Sequence, residues 1–122
     1  MREHVQVLIV DDQPRARQSL RALLATWPSI GEIREAANGQ EAIDRIEQAQ
    51  PDLVLMDVRM PVMDGLAATR LIKMRWPQIK VITLSMYGDS QADALAAGAD
   101  VFVRKGESPE KLLDTLAAVL NA

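Results

Sequence analysis

The chain has 122 residues, of which 48% are apolar and 25% are charged, and its formal net charge is −3. This length and composition suit one soluble globular domain, and they exclude two domains, a collagen-like fibre and a largely disordered chain. Cysteine is absent and His4 is the only histidine, which excludes disulfides, thiolate metal sites and metal sites built from several histidines.

Short apolar runs and helical patterns alternate through the first half of the chain. Dense apolar runs are typical of strands buried on both faces, whereas the mixture of Ile30 and Ile33 with polar residues indicates an edge strand. The first predicted elements are a strand over residues 5–10, a helix over about 15–26 with Pro14 in its first turn, and an edge strand over 30–36. A helix that begins at Asn38, with Glu41 as its capping partner, and stops before Pro51 follows, and then a strand over 53–56.

The same alternation continues to the end of the chain. The predicted elements are a helix opened by Asp64 and Gly65 that ends near Trp76 and Pro77, a strand over 81–84, a short helix opened by Ser90 with Asp93 that stops at Gly98, a strand over 101–103, and a helix opened by Ser108 and Pro109. Five strand–helix units in succession indicate an α/β fold with a parallel sheet that helices cover on both faces.

Polar residues follow four of the predicted strands. Asp11 and Asp12 follow the first strand, Asp57 the third, Ser85 the fourth, and Arg104 and Lys105 the fifth. Because the carboxyl ends of parallel strands meet at one edge of a sheet, where ligands bind, we expect these residues to lie together.

Three carboxylates at one edge repel one another, so their charge must be neutralised. One lysine and one divalent cation would balance the three acids, and a site made only of oxygen ligands favours Mg²⁺. A carboxylate can also attack phosphorus and form an aspartyl phosphate. The metal and Lys105 would then stabilise the phosphoryl oxygens, and Ser85 could donate a hydrogen bond to them.

With these features, the chain resembles a receiver domain of a two-component response regulator over essentially its whole length. The resemblance depends on VLIVDD at residues 7–12, DVRMPVMDG at residues 57–65, Ser85 after an apolar strand, and Lys105 after VFVR. It implies a flavodoxin-like, doubly wound (βα)5 fold with strand order 2-1-3-4-5, in a single receiver domain over residues 1–122.

The resemblance also implies a role for each residue of the site. Asp57 matches the phosphoacceptor, Asp11 and Asp12 match the acid pair with Asp12 as the direct Mg²⁺ ligand, and the backbone carbonyl of Arg59 matches a further metal ligand. Lys105 matches the lysine that contacts the phosphoryl group.

Two further residues match the parts of the family that respond to phosphorylation. Ser85 matches the hydroxyl that moves toward the phosphoryl group, and Phe102 matches the aromatic ring that turns inward. The chain departs from the family in having Gly106, where proline in a cis peptide is common, so we expect a trans Lys105–Gly106 bond. Arg59 and Tyr87 occupy positions at which the family varies its dephosphorylation rate.

The expected function is a switch that takes a phosphoryl group from a histidine kinase or a phosphotransfer protein onto Asp57 with Mg²⁺. Phosphorylation would change the face formed by the fourth helix, the fifth strand and the fifth helix. LSM at residues 84–86 and RKGESPE at 104–110 resemble receivers of LuxR-type transcription regulators. A stand-alone receiver and part of such a regulator both remain open, as does a homodimer.

Composition limits the other partners. The sequence shows no basic excess and no apolar run long enough for a signal peptide or a membrane span, so we expect a cytoplasmic domain that binds neither nucleic acid nor membrane directly. A pseudo-receiver that works only through protein contacts is disfavoured by the intact acids. An aspartyl-phosphate phosphatase is disfavoured because Asp11 and Asp12 are adjacent, and a nucleotide-binding flavodoxin-like domain because no glycine-rich loop follows the first strand.

Overall fold

Strands and helices alternate five times in the computed structural model, which describes residues 4–121 except for the side chain of Asp89. The strands are β1 (Val5–Val10), β2 (Ile30–Ala36), β3 (Leu53–Asp57), β4 (Lys80–Ser85) and β5 (Val101–Arg104). The helices are α1 (Pro14–Leu24), α2 (Gly39–Gln48), α3 (Gly65–Arg75), α4 (Gln91–Ala96) and α5 (Pro109–Leu120), and a 3-10 turn over Gly88–Ser90 precedes α4. Each predicted element is present, with its ends shifted by a few residues at most.

The five strands form one parallel sheet in the order β2-β1-β3-β4-β5. The predicted flavodoxin-like order is therefore confirmed, and β2 lies at an edge as its mixed polarity indicated. The register pairs Val10 with Met56, Asp57 with Leu84, and Ser85 with Arg104, so the polar strand ends lie next to one another.

The core consists of two layers, one on each face of the sheet. Alternate residues of the strands point to opposite faces, so Leu8 and Val10 pack with α2 and α3, whereas Val7 and Ile9 pack with α1 and α5. Trp76 packs against the first layer and Trp27 against the second. None of the helices in the described part of the chain has the length and hydropathy to cross a membrane.

Side-chain caps begin three of the helices as the sequence indicated. Asn38, Asp64 and Ser108 accept hydrogen bonds from the backbone N–H groups of Glu41, Ala67 and Lys111. The predicted cap by Ser90 is wrong, because that residue has helical backbone angles and makes no side-chain cap bond. Its hydroxyl is buried and accepts instead a hydrogen bond from Ser85 Oγ at 3.5 Å.

The loop after β5 has the trans peptide bond that was predicted from Gly106. All peptide bonds among the described residues are trans, including Lys105–Gly106, and Gly106 has φ +93°. Positive φ is accessible to glycine without strain. The β5–α5 loop therefore turns through its glycine and not through a cis bond.

Candidate functional site

Three carboxylates meet at the carboxyl ends of β1 and β3. Asp11 and Asp12 follow β1 directly, and Asp57 is the last residue of β3. One oxygen from each of the three carboxylates lies within 4.8 Å of the others. Asp11 is 1% exposed and Asp57 is 8% exposed, whereas Asp12 is half-buried and closer to solvent. The acids thus form a pocket that is open mainly at Asp12.

Lys105 supplies a positive charge inside this pocket. Its Nζ lies 2.8 Å from Oδ2 of Asp11 and 3.2 Å from Oδ1 of Asp57. The backbone N–H of Lys105 donates to the carbonyl of Ser85 at 2.7 Å, which extends the β4–β5 pairing by one residue and holds the lysine at the sheet edge. The strand order brings together the residues that the sequence placed at separate strand ends.

Burial and like charge act together on Asp57. Burial raises the pKa of Asp57, the charge of Asp11 raises it further, Lys105 opposes both effects, and the net shift is upward. Burial alone would lower the pKa of Lys105, but its hydrogen bond to Asp11 and the charges of Asp57 and Asp11 outweigh that effect and raise it. Lys105 is therefore a permanent cation in a pocket with an excess of negative charge.

The donor set fits a hard divalent cation. The three acids carry three negative charges when ionised and Lys105 offsets one of them, so two net charges remain for a metal ion to balance. All the groups are carboxylate oxygens, which Mg²⁺ prefers to nitrogen or sulfur. Asp12, the most accessible acid, leaves room for the water ligands that Mg²⁺ usually keeps.

The loop between β3 and α3 is held tightly under Asp57. The backbone N–H of Gly65 donates to the carbonyl of Val58 at 2.7 Å. A Cβ at residue 65 would overlap the backbone carbonyl oxygen of Asp57, so only glycine permits this approach. The first turn of α3 therefore packs against the backbone of Asp57 and fixes where that carboxylate lies.

The hydroxyl of Ser85 lies at the same sheet edge but bonds away from the acids. Ser85 is 2% exposed, and its Oγ accepts the backbone N–H of Tyr87 at 3.1 Å and donates to Ser90 Oγ at 3.5 Å. These partners belong to the loop between β4 and α4. Ser85 thus links the end of β4 to the start of α4.

Arg59, in the loop after β3, and Tyr87, in the loop after β4, contact each other. The Arg59 guanidinium lies 4.2 Å from the centroid of the Tyr87 ring, a cation–π distance. Phe102 is half-buried on β5, beside a cleft that Gln91 and Lys111 also line, and it is not among the residues of the acid pocket. That the Arg59 carbonyl binds metal and that Phe102 moves remain predictions.

Sequence reasoning missed one contact to the acids. Arg17 on α1 donates from Nη1 to the backbone carbonyl of Asp11 at 2.7 Å and from Nε to Glu35 Oε1 at 2.9 Å. Partial burial alone would raise the pKa of Glu35, but hydrogen bonds from Arg21 and Arg17 outweigh it and hold the pKa below its usual value. An arginine on the helix after β1 and a glutamate at the end of neighbouring β2 were the available signal.

The sequence is similar to a known family of domains and to several characterised proteins. A family model described as the response regulator receiver domain matches residues 7–117. The transcriptional regulatory protein LnrK of Bacillus subtilis is 37% identical over 117 residues, which are 94% of this chain and 53% of that protein. A protein-glutamate methylesterase/protein-glutamine glutaminase of Methanosarcina mazei is 43% identical over 107 residues, 85% of this chain and 30% of that protein.

Solved structures of response regulators and a chemotaxis protein have the same fold as this chain. A two-component response regulator of the LuxR family from Aurantimonas superposes with a TM-score of 0.91 at 29% identity, over 97% of this chain and 86% of that one. Chemotaxis protein CheY4 of Vibrio cholerae gives 0.85 at 30% identity, over 95% and 98%. The chain spans about half the length, or less, of the curated relatives described above.

Proposed function

The chain belongs to the family of response-regulator receiver domains, and from that premise we propose that it is a signalling switch in which Asp57 accepts a phosphoryl group with the help of Mg²⁺. The observation that carries the proposal is the contact of Lys105 with both Asp11 and Asp57 in an otherwise acidic pocket. A nucleophile, a fixed cation and a set of metal ligands lie within one pocket. Those are the parts that phosphoryl transfer to a carboxylate requires.

The donor in this proposal is a phosphohistidine on a histidine kinase or a phosphotransfer protein. An oxygen of Asp57 forms a bond to phosphorus, and the bond from phosphorus to the donor's imidazole nitrogen breaks. The electron pair leaves with the nitrogen, which takes a proton from solvent. Lys105, 3.2 Å from Asp57 Oδ1, offsets the negative charge that the acyl phosphate brings into the pocket.

Asp11, Asp12, Asp57 and the backbone carbonyl of Arg59 are the groups that would hold the metal. When bound there, Mg²⁺ supplies positive charge to the phosphoryl oxygens and orients them for in-line attack. Asp11 is buried and already bonded to Lys105 and to the N–H of Gln13, so Asp12 is the better placed direct ligand. This assignment follows from accessibility as well as from the family resemblance.

Phosphorylation changes the charge of the pocket and can therefore shift a conformational equilibrium. A phosphoryl group adds about −1.5 to −2 charges near neutral pH. To donate a hydrogen bond to it, Ser85 must turn from Ser90, its present acceptor in the loop before α4. Helix α4 has six residues and buries only Ala94, so little packing opposes its movement. We infer that the face of α4, β5 and α5, with Phe102 at its centre, carries the signal.

The partners follow from the same proposal. A cytoplasmic histidine kinase or phosphotransfer protein would phosphorylate the domain, and a second copy or an attached output domain would receive the signal. Since LnrK and the Aurantimonas protein are named as transcriptional regulators or LuxR-family regulators, a DNA-binding output is the favoured one. The receiver itself, at net charge −3, would not bind nucleic acid.

Intact mass after incubation with acetyl phosphate tests the proposal. Wild type with Mg²⁺ should gain one phosphoryl group, whereas wild type with a chelator, Asp57→Asn and Asp12→Asn should gain none or far less. Glu47→Gln, on the exposed face of α2, is a matched control that should behave as wild type. Unmodified wild type, both with acetyl phosphate and with phosphorylated kinase domains, would instead support a domain that works only through protein contacts.

A further inference from the structure

We propose that Arg17 is a positioning residue for the Mg²⁺ site: its guanidinium fixes the peptide unit that joins Asp11 to Asp12. The inference rests on the proposed function, since it concerns the affinity of the acid pocket for Mg²⁺. It adds a residue on α1 whose described hydrogen bonds go to a backbone carbonyl and to Glu35, and not to the three carboxylates. Its effect would pass through the backbone.

The contact is made to one particular carbonyl. Arg17 Nη1 donates at 2.7 Å to the oxygen of Asp11, and that carbonyl belongs to the peptide bond between the two acids. A peptide unit is planar, so a hydrogen bond that restrains its carbonyl oxygen also restrains the positions of the Cα atoms on both sides, here those of Asp11 and Asp12. The relative placement of the Asp11 and Asp12 carboxylates therefore depends on where Arg17 holds this oxygen.

Asp11 is anchored on its other sides, which leaves Asp12 as the residue that Arg17 controls. The N–H of Asp11 donates to the carbonyl of Ala36 at 3.1 Å, and its carboxylate accepts from Gln13 N–H at 2.9 Å and Lys105 Nζ at 2.8 Å. Asp12 is half-buried and does not share the hydrogen bonds that hold Asp11. Its carboxylate is held in place through the peptide unit and the turn that follows.

The guanidinium of Arg17 is itself held by a carboxylate on β2, which a second arginine also contacts. Arg17 Nε donates to Glu35 Oε1 at 2.9 Å, and Arg21 donates from Nε to Glu35 Oε2 at 2.8 Å. Arg21 Nη2 also donates to the carbonyl of Ile33 at 2.9 Å. Glu35, on β2, thus accepts from Arg17 with one oxygen and from Arg21 with the other. Two donors of one planar guanidinium reach two acceptors, one directly after β1 and one on β2, a geometry that lysine cannot reproduce.

Calorimetric titration with MgCl₂ alone, with no phosphodonor, tests the inference. The variants are Arg17→Gln and Arg21→Gln, the second being a matched control that loses a bond to Glu35 but none to Asp11. Changes to residues that orient metal ligands typically weaken binding by about 10- to 100-fold, so Arg17→Gln should raise the Mg²⁺ Kd by about tenfold. Arg21, which is 45% exposed, should change the Kd by less than about twofold.

A second variant separates geometry from charge and guards against a failure to fold. Arg17→Lys keeps the positive charge but has one nitrogen for two acceptors, so its Kd should also rise by about tenfold. A wild-type Kd in Arg17→Lys, or equal weakening in the Arg17→Gln and Arg21→Gln variants, would overturn the positioning role and leave the proposed function intact. Failure of the wild-type protein to bind Mg²⁺ would overturn the proposed function, and this inference with it.

Discussion

The ammonium of Lys105 lies 2.8 Å from Oδ2 of Asp11, although 94 residues separate the two along the chain. The parallel strand order brings them together, because the ends of β1 and β5 both face the edge at which β3 ends. This contact places a fixed cation among three acids. The charge of the pocket, more than any single hydrogen bond, then determines how the site responds to substitution and to pH.

Replacing Lys105 should have opposite effects on metal binding and on phosphorylation. Lys105→Gln removes one positive charge, so the pocket attracts Mg²⁺ more strongly and its Kd should fall several-fold. The phosphoryl group loses its fixed cation, so the initial rate of phosphorylation by acetyl phosphate at saturating Mg²⁺ should fall by at least about tenfold. Calorimetry and intact mass measure the two quantities separately.

Lys111→Gln is the control for that substitution, because Lys111 is an exposed lysine of α5 that pairs with Glu107 in the preceding loop. It should leave both quantities at their wild-type values. Weaker Mg²⁺ binding in Lys105→Gln would contradict the electrostatic account and would mean that Lys105 chiefly supports the shape of the pocket.

Asp57→Asn should stabilise the protein at neutral pH. Burial and the charge of Asp11 raise the pKa of Asp57, so its ionised form costs free energy of folding that is absent when the carboxyl is protonated. The wild-type penalty therefore grows as pH rises through the folded-state pKa. The neutral amide should raise the free energy of unfolding at pH 7 by about 1 kcal/mol, the scale of many stabilising changes.

Urea titrations at pH 7 and pH 4 measure this effect. The advantage of Asp57→Asn should shrink toward the lower pH, where the wild-type carboxyl takes up a proton. A gap that stayed constant with pH would show that the difference comes from packing and not from charge.

Ionisation of Glu35 should affect the stability of the protein in the opposite direction to ionisation of Asp57. Hydrogen bonds from Arg21 and Arg17 hold its pKa below the usual value despite partial burial, so its stabilising contribution is present above that usual value. It is lost as pH falls through the lowered pKa. Glu35→Gln should therefore be less stable than wild type at pH 7, and the two proteins should become equally stable in acid. Chemical denaturation across pH 3–7 measures this difference in the free energy of unfolding. A difference that widens in acid would contradict the prediction.

Two glycines predict contrasting results for the same substitution. Gly65→Ala would drive a Cβ into the backbone carbonyl of Asp57, so it should destabilise the protein by about 1–3 kcal/mol and slow phosphorylation. Gly88→Ala meets nothing closer than Arg104 Nη1 at 3.7 Å and should be tolerated. Thermal unfolding of both variants is the measurement, and equal losses would argue against the tight approach of α3 to Asp57.

Local patterns in the sequence were enough to predict the sheet and most helix starts. The dense apolar runs correspond to strands buried on both faces, and Asn38, Asp64 and Ser108 cap their helices because capping needs only neighbouring residues. Ser90 has the same local pattern, but its buried hydroxyl bonds to Ser85 and does not cap the helix, because tertiary packing brings the two serines together. Local pattern therefore predicts a cap only where no buried partner competes for the hydroxyl.

The candidate site could be predicted for the same reason that the fold could. Parallel strands bring their carboxyl ends together, so Asp11, Asp57 and Lys105 could be placed at one edge before any distance was known. Arg17 could not be found in this way, because its target is a backbone carbonyl with no side-chain signature in the sequence.

Locating the phosphoryl group on the chain tests the central claim most directly. After reaction with acetyl phosphate and Mg²⁺, reduction with sodium borohydride converts an aspartyl phosphate to homoserine, and peptide mass spectrometry then identifies the changed residue. We predict homoserine at residue 57, at no other carboxylate, and only when Mg²⁺ is present. Homoserine at Asp11 or Asp12, or the same yield without Mg²⁺, would contradict the account.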